Sequence, residues 1–262
     1  AITLHQEGKL EEAETKYREI LKTQSENTII NHNLGVLLCL KGKFDEAIVK
    51  FKKTIELKPD YLEAYYNLAT VLNNIGRLVE AEKNYKKVLK LKPDYFEAHN
   101  NLGNISLKIG KFIQAERFYK KAIDLRPDNV EVYNNLGLTF SKLNKLENAI
   151  VSFKKIIELK PDYVQAYDNL GIILEKIGRP EEASLNFRKS IVLEADFINL
   201  VNCVNIGDWQ NSKNLLTKIC INKTNYTKHY QAGCLSFELY ANKQKIICNS
   251  GYGKYSSQSI TS

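Results

Sequence analysis

The pentapeptide Leu57-Lys58-Pro59-Asp60-Tyr61 returns as Leu91-Lys92-Pro93-Asp94-Tyr95, as Leu125-Arg126-Pro127-Asp128-Asn129 and as Leu159-Lys160-Pro161-Asp162-Tyr163. Each copy lies 34 residues beyond the last. Working outward from these pentapeptides gives complete units at 28–61, 62–95, 96–129, 130–163 and 164–197, with a partial unit at 1–27 that begins inside its first helix. Self-similarity at this period predicts a stacked array in which each unit buries its apolar face against the next.

Every column of the repeat has a physical task. Leu34, Leu68, Leu102, Leu136 and Leu170 share one column, and a small residue follows each: Gly35, Ala69, Gly103, Gly137 and Gly171. A small side chain there lets two helices approach closely. Seven residues later stand Gly42, Gly76, Gly110, Asn144 and Gly178, where a helix needs a left-handed residue to end and Asn is the usual substitute for Gly. A second helix follows, with Ala47, Ala81, Ala115, Ala149 and Ala183 at its close crossing. Phe51, Tyr85, Tyr119, Phe153 and Phe187 come four residues on, lie on the same helical face and fill the core. Proline at 59, 93, 127 and 161 then stops the helix. Pro180 sits instead at a helix start, where its missing N–H costs little.

These small, aromatic and proline columns resemble the tetratricopeptide repeat (TPR) family over residues 1–197. The resemblance implies an all-α fold: a right-handed TPR superhelix, or α-solenoid, of helix-turn-helix repeats, with the first helices lining a concave groove. The family's usual Trp column reads Asn31, Tyr65, His99, Tyr133 and Tyr167 here, and Ala195 replaces the proline of the unit 164–197.

Asn33, Asn67, Asn101, Asn135 and Asn169 recur one position before the column leucines. Each amide offers donors and an acceptor that match a peptide group of an extended ligand, and the side chains are expected to point away from the core. The row looks like the asparagine ladder of O-linked N-acetylglucosamine transferases, which implies a peptide gripped by its main chain. The alternative, that these asparagines merely hydrate on a helix surface, stays open at this point. Asn104 and Lys108 add a contact point for an acidic ligand. The carboxylate-clamp column used by other TPR proteins for chaperone tails reads His32, Tyr66, Asn100, Asn134 and Asp168, and without a lysine it argues against that function. Lys52-Lys53, Lys86-Lys87, Lys120-Lys121, Lys154-Lys155 and Arg188-Lys189 read as a solvated outer face balanced by nearby glutamates.

Residues 198–220, with Trp209, read as a capping helical hairpin that covers the apolar end of the array. The run Asn199-Leu200-Val201-Asn202-Cys203, closing on Asp208-Trp209, is similar to the junction where O-linked N-acetylglucosamine transferases leave their repeats. In 221–262 the alternation of Cys234 to Tyr240, a turn at Asn242-Lys243 and the return Lys245 to Cys248 predict a β-hairpin. Gln231 to Leu239 together with Asn249-Ser250-Gly251 resembles the β-sandwich of heparinase II/III-like polysaccharide lyases. Gln231 stands where that family often has a metal-binding His, which puts any metal site in doubt. A lone hairpin is marginal, so this segment is expected to be the start of a truncated second domain and the chain a fragment.

The 262 residues are 44% hydrophobic and carry 38 Lys+Arg against 30 Asp+Glu, a net charge of +8. Residues 1–197 are nearly balanced, at 31 basic and 28 acidic, and the excess lies beyond them. Lysine supplies 32 of the 38 basic residues, whereas base and phosphate readout favours arginine, so no nucleic-acid partner is expected. There is no apolar run of about 18 residues and no secretory signal. Five cysteines without a C-x-x-C pair suit free thiols in a reducing, cytoplasmic setting. His5, His32, His99 and His229 are scattered, and no catalytic constellation, metal site or cofactor is expected. The expected function is a non-catalytic scaffold that binds an extended peptide or protein segment in the groove. The alternative is a substrate-recruiting arm of a larger carbohydrate-active enzyme, transferase-like or lyase-like.

Overall fold

Two helices, one of 13 residues and one of 14, recur along the chain at the period of the pentapeptide. The computed structural model describes residues 1–193 and the strands at 237–241 and 244–248. Its contacts divide into two compact units, Ala1–Leu143 and Asn144–Ser262. The first contains α1 (Ile2–Gln6), α2 (Leu10–Thr23), α3 (Thr28–Leu40), α4 (Phe44–Leu57), α5 (Leu62–Asn74), α6 (Leu78–Leu91), α7 (Phe96–Lys108), α8 (Phe112–Leu125) and α9 (Val130–Lys142). The second contains α10 (Leu146–Leu159), α11 (Val164–Lys176), α12 (Pro180–Leu193) and the strands β1 (Phe237–Ala241) and β2 (Gln244–Cys248). The array is an all-α solenoid of helix-turn-helix repeats. The readings of 198–220 as a capping hairpin and of Trp209 as its cover lie outside the described residues.

Punctuation in the sequence sets the helix ends. Gly42, Gly76, Gly110 and Gly178 adopt φ between 69° and 81°, and Asn144 takes φ 56° in the same column. Past each glycine the chain closes a six-to-one bond, as from Lys43 N–H to the Leu38 carbonyl at 2.9 Å and from Lys111 N–H to that of Ser106 at 2.8 Å. The second helices end at Leu57, Leu91, Leu125 and Leu159, two residues before each proline. The residues between, Lys58, Lys92, Arg126 and Lys160, are extended at φ near −140°, as a following proline requires. Pro180 opens α12.

In Ala1–Leu143, α4 buries Ala47, Ile48, Phe51 and Thr54 on one stripe, and α8 buries Ala115, Tyr119 and Ala122. Each second helix packs on its own first helix and on the next one, so α4 touches α3 and α5, and α8 touches α7 and α9. The aromatic of the second helix lies against the small glycine of the first in the hairpins α3–α4 and α7–α8. A Cβ built on Gly35 would stand 2.7 Å from the Phe51 ring, and one on Gly103 2.5 Å from Tyr119 Cε1. In the second unit, Gly171 lies in the same way 2.6 Å from the Phe187 ring. Fully burying such a ring is worth about 3 kcal/mol.

Charge ties one hairpin to the next. Glu14 on α2 accepts from Lys41 and Lys43 in the turn after α3, and from Arg18. The Lys41 ammonium, opposed by burial and reinforced by Arg18 and Lys43, holds the Glu14 carboxyl down to about 2. One step along the array but one, Glu82 faces Lys111 at 3.9 Å in the equivalent positions.

Three members of the usual Trp column pin the turn before their first helix. Asn31 Nδ2 donates to the Ser25 carbonyl at 2.9 Å, and His99 Nε2 bonds the Pro93 carbonyl at 2.8 Å. In the second unit Tyr167 hydroxyl donates to the Pro161 carbonyl at 2.8 Å. Three residue types thus reach the carbonyl six residues upstream. His99 does so at a cost, because its Nδ1 is buried without a partner. Replacing His99 by Tyr keeps a donor to Pro93 and removes the orphan, so a stabilisation of about 1 kcal/mol is expected. A urea midpoint that falls instead of rising would show that the space beside Phe118 does not admit the larger ring.

In the C-terminal segment β1 and β2 pair antiparallel, from Phe237 opposite Cys248 to Ala241 opposite Gln244. The turn expected at Asn242-Lys243 lies outside the described residues.

Candidate functional site

The first helices α3, α5, α7 and α9 stand side by side in Ala1–Leu143, and side chains from the asparagine column join them. Asn67 Nδ2 donates to His32 Nε2 at 3.0 Å, linking α5 to α3. Asn101 Nδ2 reaches the Tyr85 hydroxyl at 3.1 Å and the Tyr66 hydroxyl at 3.5 Å, linking α7 to α6 and α5. Asn135 Nδ2 donates to Asn104 Oδ1 at 3.0 Å, linking α9 to α7. These asparagines are half-buried and bonded across the row, not free in solvent as their sequence positions alone suggest. Asn33 is half-buried beside His32, and Asn169 is half-buried on α11 in the second unit. Among the described residues nothing donates to Oδ1 of Asn67, Asn101 or Asn135.

Asn104 does more within the protein than its sequence position implies. Its Oδ1 accepts from Asn135 and also from the Tyr119 hydroxyl at 2.7 Å. Tyr85 reaches the same wall, 3.0 Å from Thr70 Oγ1. The sequence holds a signal for both contacts. Where the aromatic column of a complete unit has a hydroxyl, at Tyr85 and Tyr119, the residue fifteen positions earlier is polar, Thr70 and Asn104, whereas Tyr17 of the partial unit meets His5 Nδ1 at 3.4 Å. Where it has Phe, at Phe51, Phe153 and Phe187, that residue is Val36, Leu138 or Ile172. Lys108 is exposed in the last turn of α7, with no ion pair among the described residues.

Aromatic rings flank the amides. His32 lies 5.0 Å from the Tyr61 ring, and Tyr66 lies 5.4 Å from Tyr95 and 5.7 Å from Tyr85. Tyr61 and Tyr95 occupy the N-cap positions of α5 and α7 and make no side-chain cap, whereas Asn27 and Asn129 cap α3 and α9. A Tyr in that position forgoes about 1 kcal/mol of capping. Burial pushes the His32 imidazole below its usual value, with its bond to Asn33 and the Glu63 charge pulling the other way. Glu63, Glu97 and Glu131 stand two residues past these caps. Arg126, stacked 4.0 Å from the Phe96 ring, holds Glu97 at 2.5 Å. Glu63 and Glu131 have no cation partner among the described residues. On the second helices the lysine pairs meet acids instead, as Lys53–Glu56, Lys86–Glu82 and Lys120–Glu116 do.

No group of three His, Cys, Asp or Glu able to hold a metal occurs among the described residues. Nor is any described helix long and apolar enough to cross a membrane. Burial raises the Cys39 thiol to about 11, which keeps it protonated and unreactive near neutral pH.

Tetratricopeptide repeat profiles match residues 37–76, 60–128, 130–163 and 152–183. This is a tetratricopeptide repeat array. A heparinase II/III-like C-terminal profile matches residues 217–262. Among solved structures the array is similar to MamA at 28% identity and TM-score 0.64, covering 67% of this chain and 96% of that one. MamA from Desulfovibrio magneticus RS-1 aligns at 25% identity and TM-score 0.61, covering 63% and 94%. YrrB, described as a TPR protein with an unusual peptide-binding site, shares the fold at 21% identity and TM-score 0.63 over 70% and 94%. No curated protein matches the chain.

Proposed function

We propose that the tetratricopeptide array is an interaction scaffold that holds an extended polypeptide segment along the first-helix wall. The observation that carries this reading is the row of Asn67, Asn101 and Asn135. Each has its amide nitrogen braced against a neighbouring helix and a carbonyl oxygen to which nothing among the described residues donates. A braced amide loses little freedom on binding, and its open acceptor suits a ligand's backbone N–H. Asn33 extends the row within Ala1–Leu143, and Asn169 repeats the position on α11.

The test is selection of linear peptides from a displayed random library on the full chain. Asn67→Ala and Asn135→Ala should each weaken a selected peptide about fivefold, as expected for one hydrogen bond near 1 kcal/mol. Lys120→Ala on the second-helix face should leave it unchanged. Equal affinity in all three variants would remove the wall from the binding site. Because the amides also brace helices, circular dichroism of each variant must first show unchanged helicity.

A second reading rests on the heparinase II/III-like match at 217–262. In it the array serves as the recruiting arm of a protein that acts on polysaccharide, and the wall holds the partner that brings the two together.

A further inference from the structure

We infer that the wall of Ala1–Leu143 selects a cationic segment, one whose Lys or Arg side chains supply hydrogen-bond donors. This rests on the scaffold reading and narrows its ligand.

The wall is poor in positive charge. The amides of Asn67, Asn101 and Asn135 direct Nδ2 at the preceding helices, and among the described residues nothing donates to their Oδ1 atoms. The Glu63 and Glu131 side chains have no cation partner among the described residues. The helices α3, α5, α7 and α9 contain only two basic residues, Lys108 and Lys142, both in a last turn. A helix dipole explains why an acid is favoured in a first turn. It does not explain why Glu63 stands two residues past Tyr61, a ring in place of a cap. His32 with Tyr61, and Tyr66 with Tyr95, offer π-faces next to Glu63, and a cation gains from both the ring and the carboxylate. Tyr61 and Tyr95 already take a cation over their rings, Lys58 at 5.4 Å and Lys92 at 5.8 Å. The whole chain carries +8, so attraction of a cationic peptide must come from this local field and not from net charge.

The probes are fluorescein-labelled dodecapeptides of alternating Arg-Ser, Gln-Ser and Glu-Ser, titrated into the full chain at low and at physiological salt. The Arg-Ser peptide should bind at least about tenfold tighter than the Glu-Ser peptide. The double variant Glu63→Gln, Glu131→Gln should weaken Arg-Ser about tenfold and flatten its salt dependence. Glu56→Gln, on a second helix, should change neither. Preference for Glu-Ser, or indifference to the double variant, overturns the inference. If library-selected peptides depend on Asn67 and Asn135 but carry no excess of Lys and Arg, the charge selection falls and the scaffold stands. If no peptide binds the wall, both fall.

Discussion

Truncating Tyr119 to Ala is expected to lower the stability of the first unit by about 4 kcal/mol. The ring is fully buried on α8 and lies against the backbone of Gly103 on α7. Its removal opens a cavity that glycine, with no side chain, cannot fill. Its hydroxyl also supplies one of the two donors to Asn104 Oδ1. Tyr119→Phe isolates that bond and should cost only about 1 kcal/mol. Repeat arrays open in pieces, so the denaturation midpoint should be read together with amide exchange in α7, α8 and α9. An Ala variant within about 1 kcal/mol of the parent would mean that the ring does not hold the hairpin together.

The reciprocal change, Gly103→Val, is expected to cost about 3 kcal/mol by overpacking. An added Cβ would lie 2.5 Å from Tyr119 Cε1, and the ring has no room to retreat because its hydroxyl is held by Asn104. The neighbouring unit carries Ala69 in this column, opposite Tyr85. Gly103→Ala should therefore cost less than Gly103→Val, since the repeat accommodates one methyl elsewhere. A double-mutant cycle decides the cause. In the Tyr119→Ala background the valine finds space, and its penalty should largely vanish. A penalty that persists there would point to the helix backbone and away from the ring.

The period, the glycine and asparagine turns and the proline stops were all legible in the sequence, because each answers a local backbone demand that a residue type reveals. The hairpin at 237–248 was legible from alternation around Asn242-Lys243. The asparagine column was legible as a column, but its bonding was not. Asn67 meets His32 and Asn135 meets Asn104 across 35 and 31 residues, and a spacing cannot show whether a side chain turns toward a ligand or a neighbour. The pairing of Tyr85 with Thr70 and of Tyr119 with Asn104 did leave a trace within the complete units, in a polar residue fifteen positions before each tyrosine. The missing caps at Tyr61 and Tyr95 left another, since a break in a local rule tends to mark a surface with a second task.

The glycine or asparagine that closes the first helix of each complete unit and the proline that follows four of the second helices make those hairpins self-terminating. A gene encoding such a chain can gain or lose whole thirty-four-residue blocks while every join still falls between a stop and a start. Because His32 and Tyr66 occupy the same column, an excised block would still bring an asparagine opposite an acceptor. Length is thus a quantity that recombination can adjust freely, with the reach of the wall changing in equal steps.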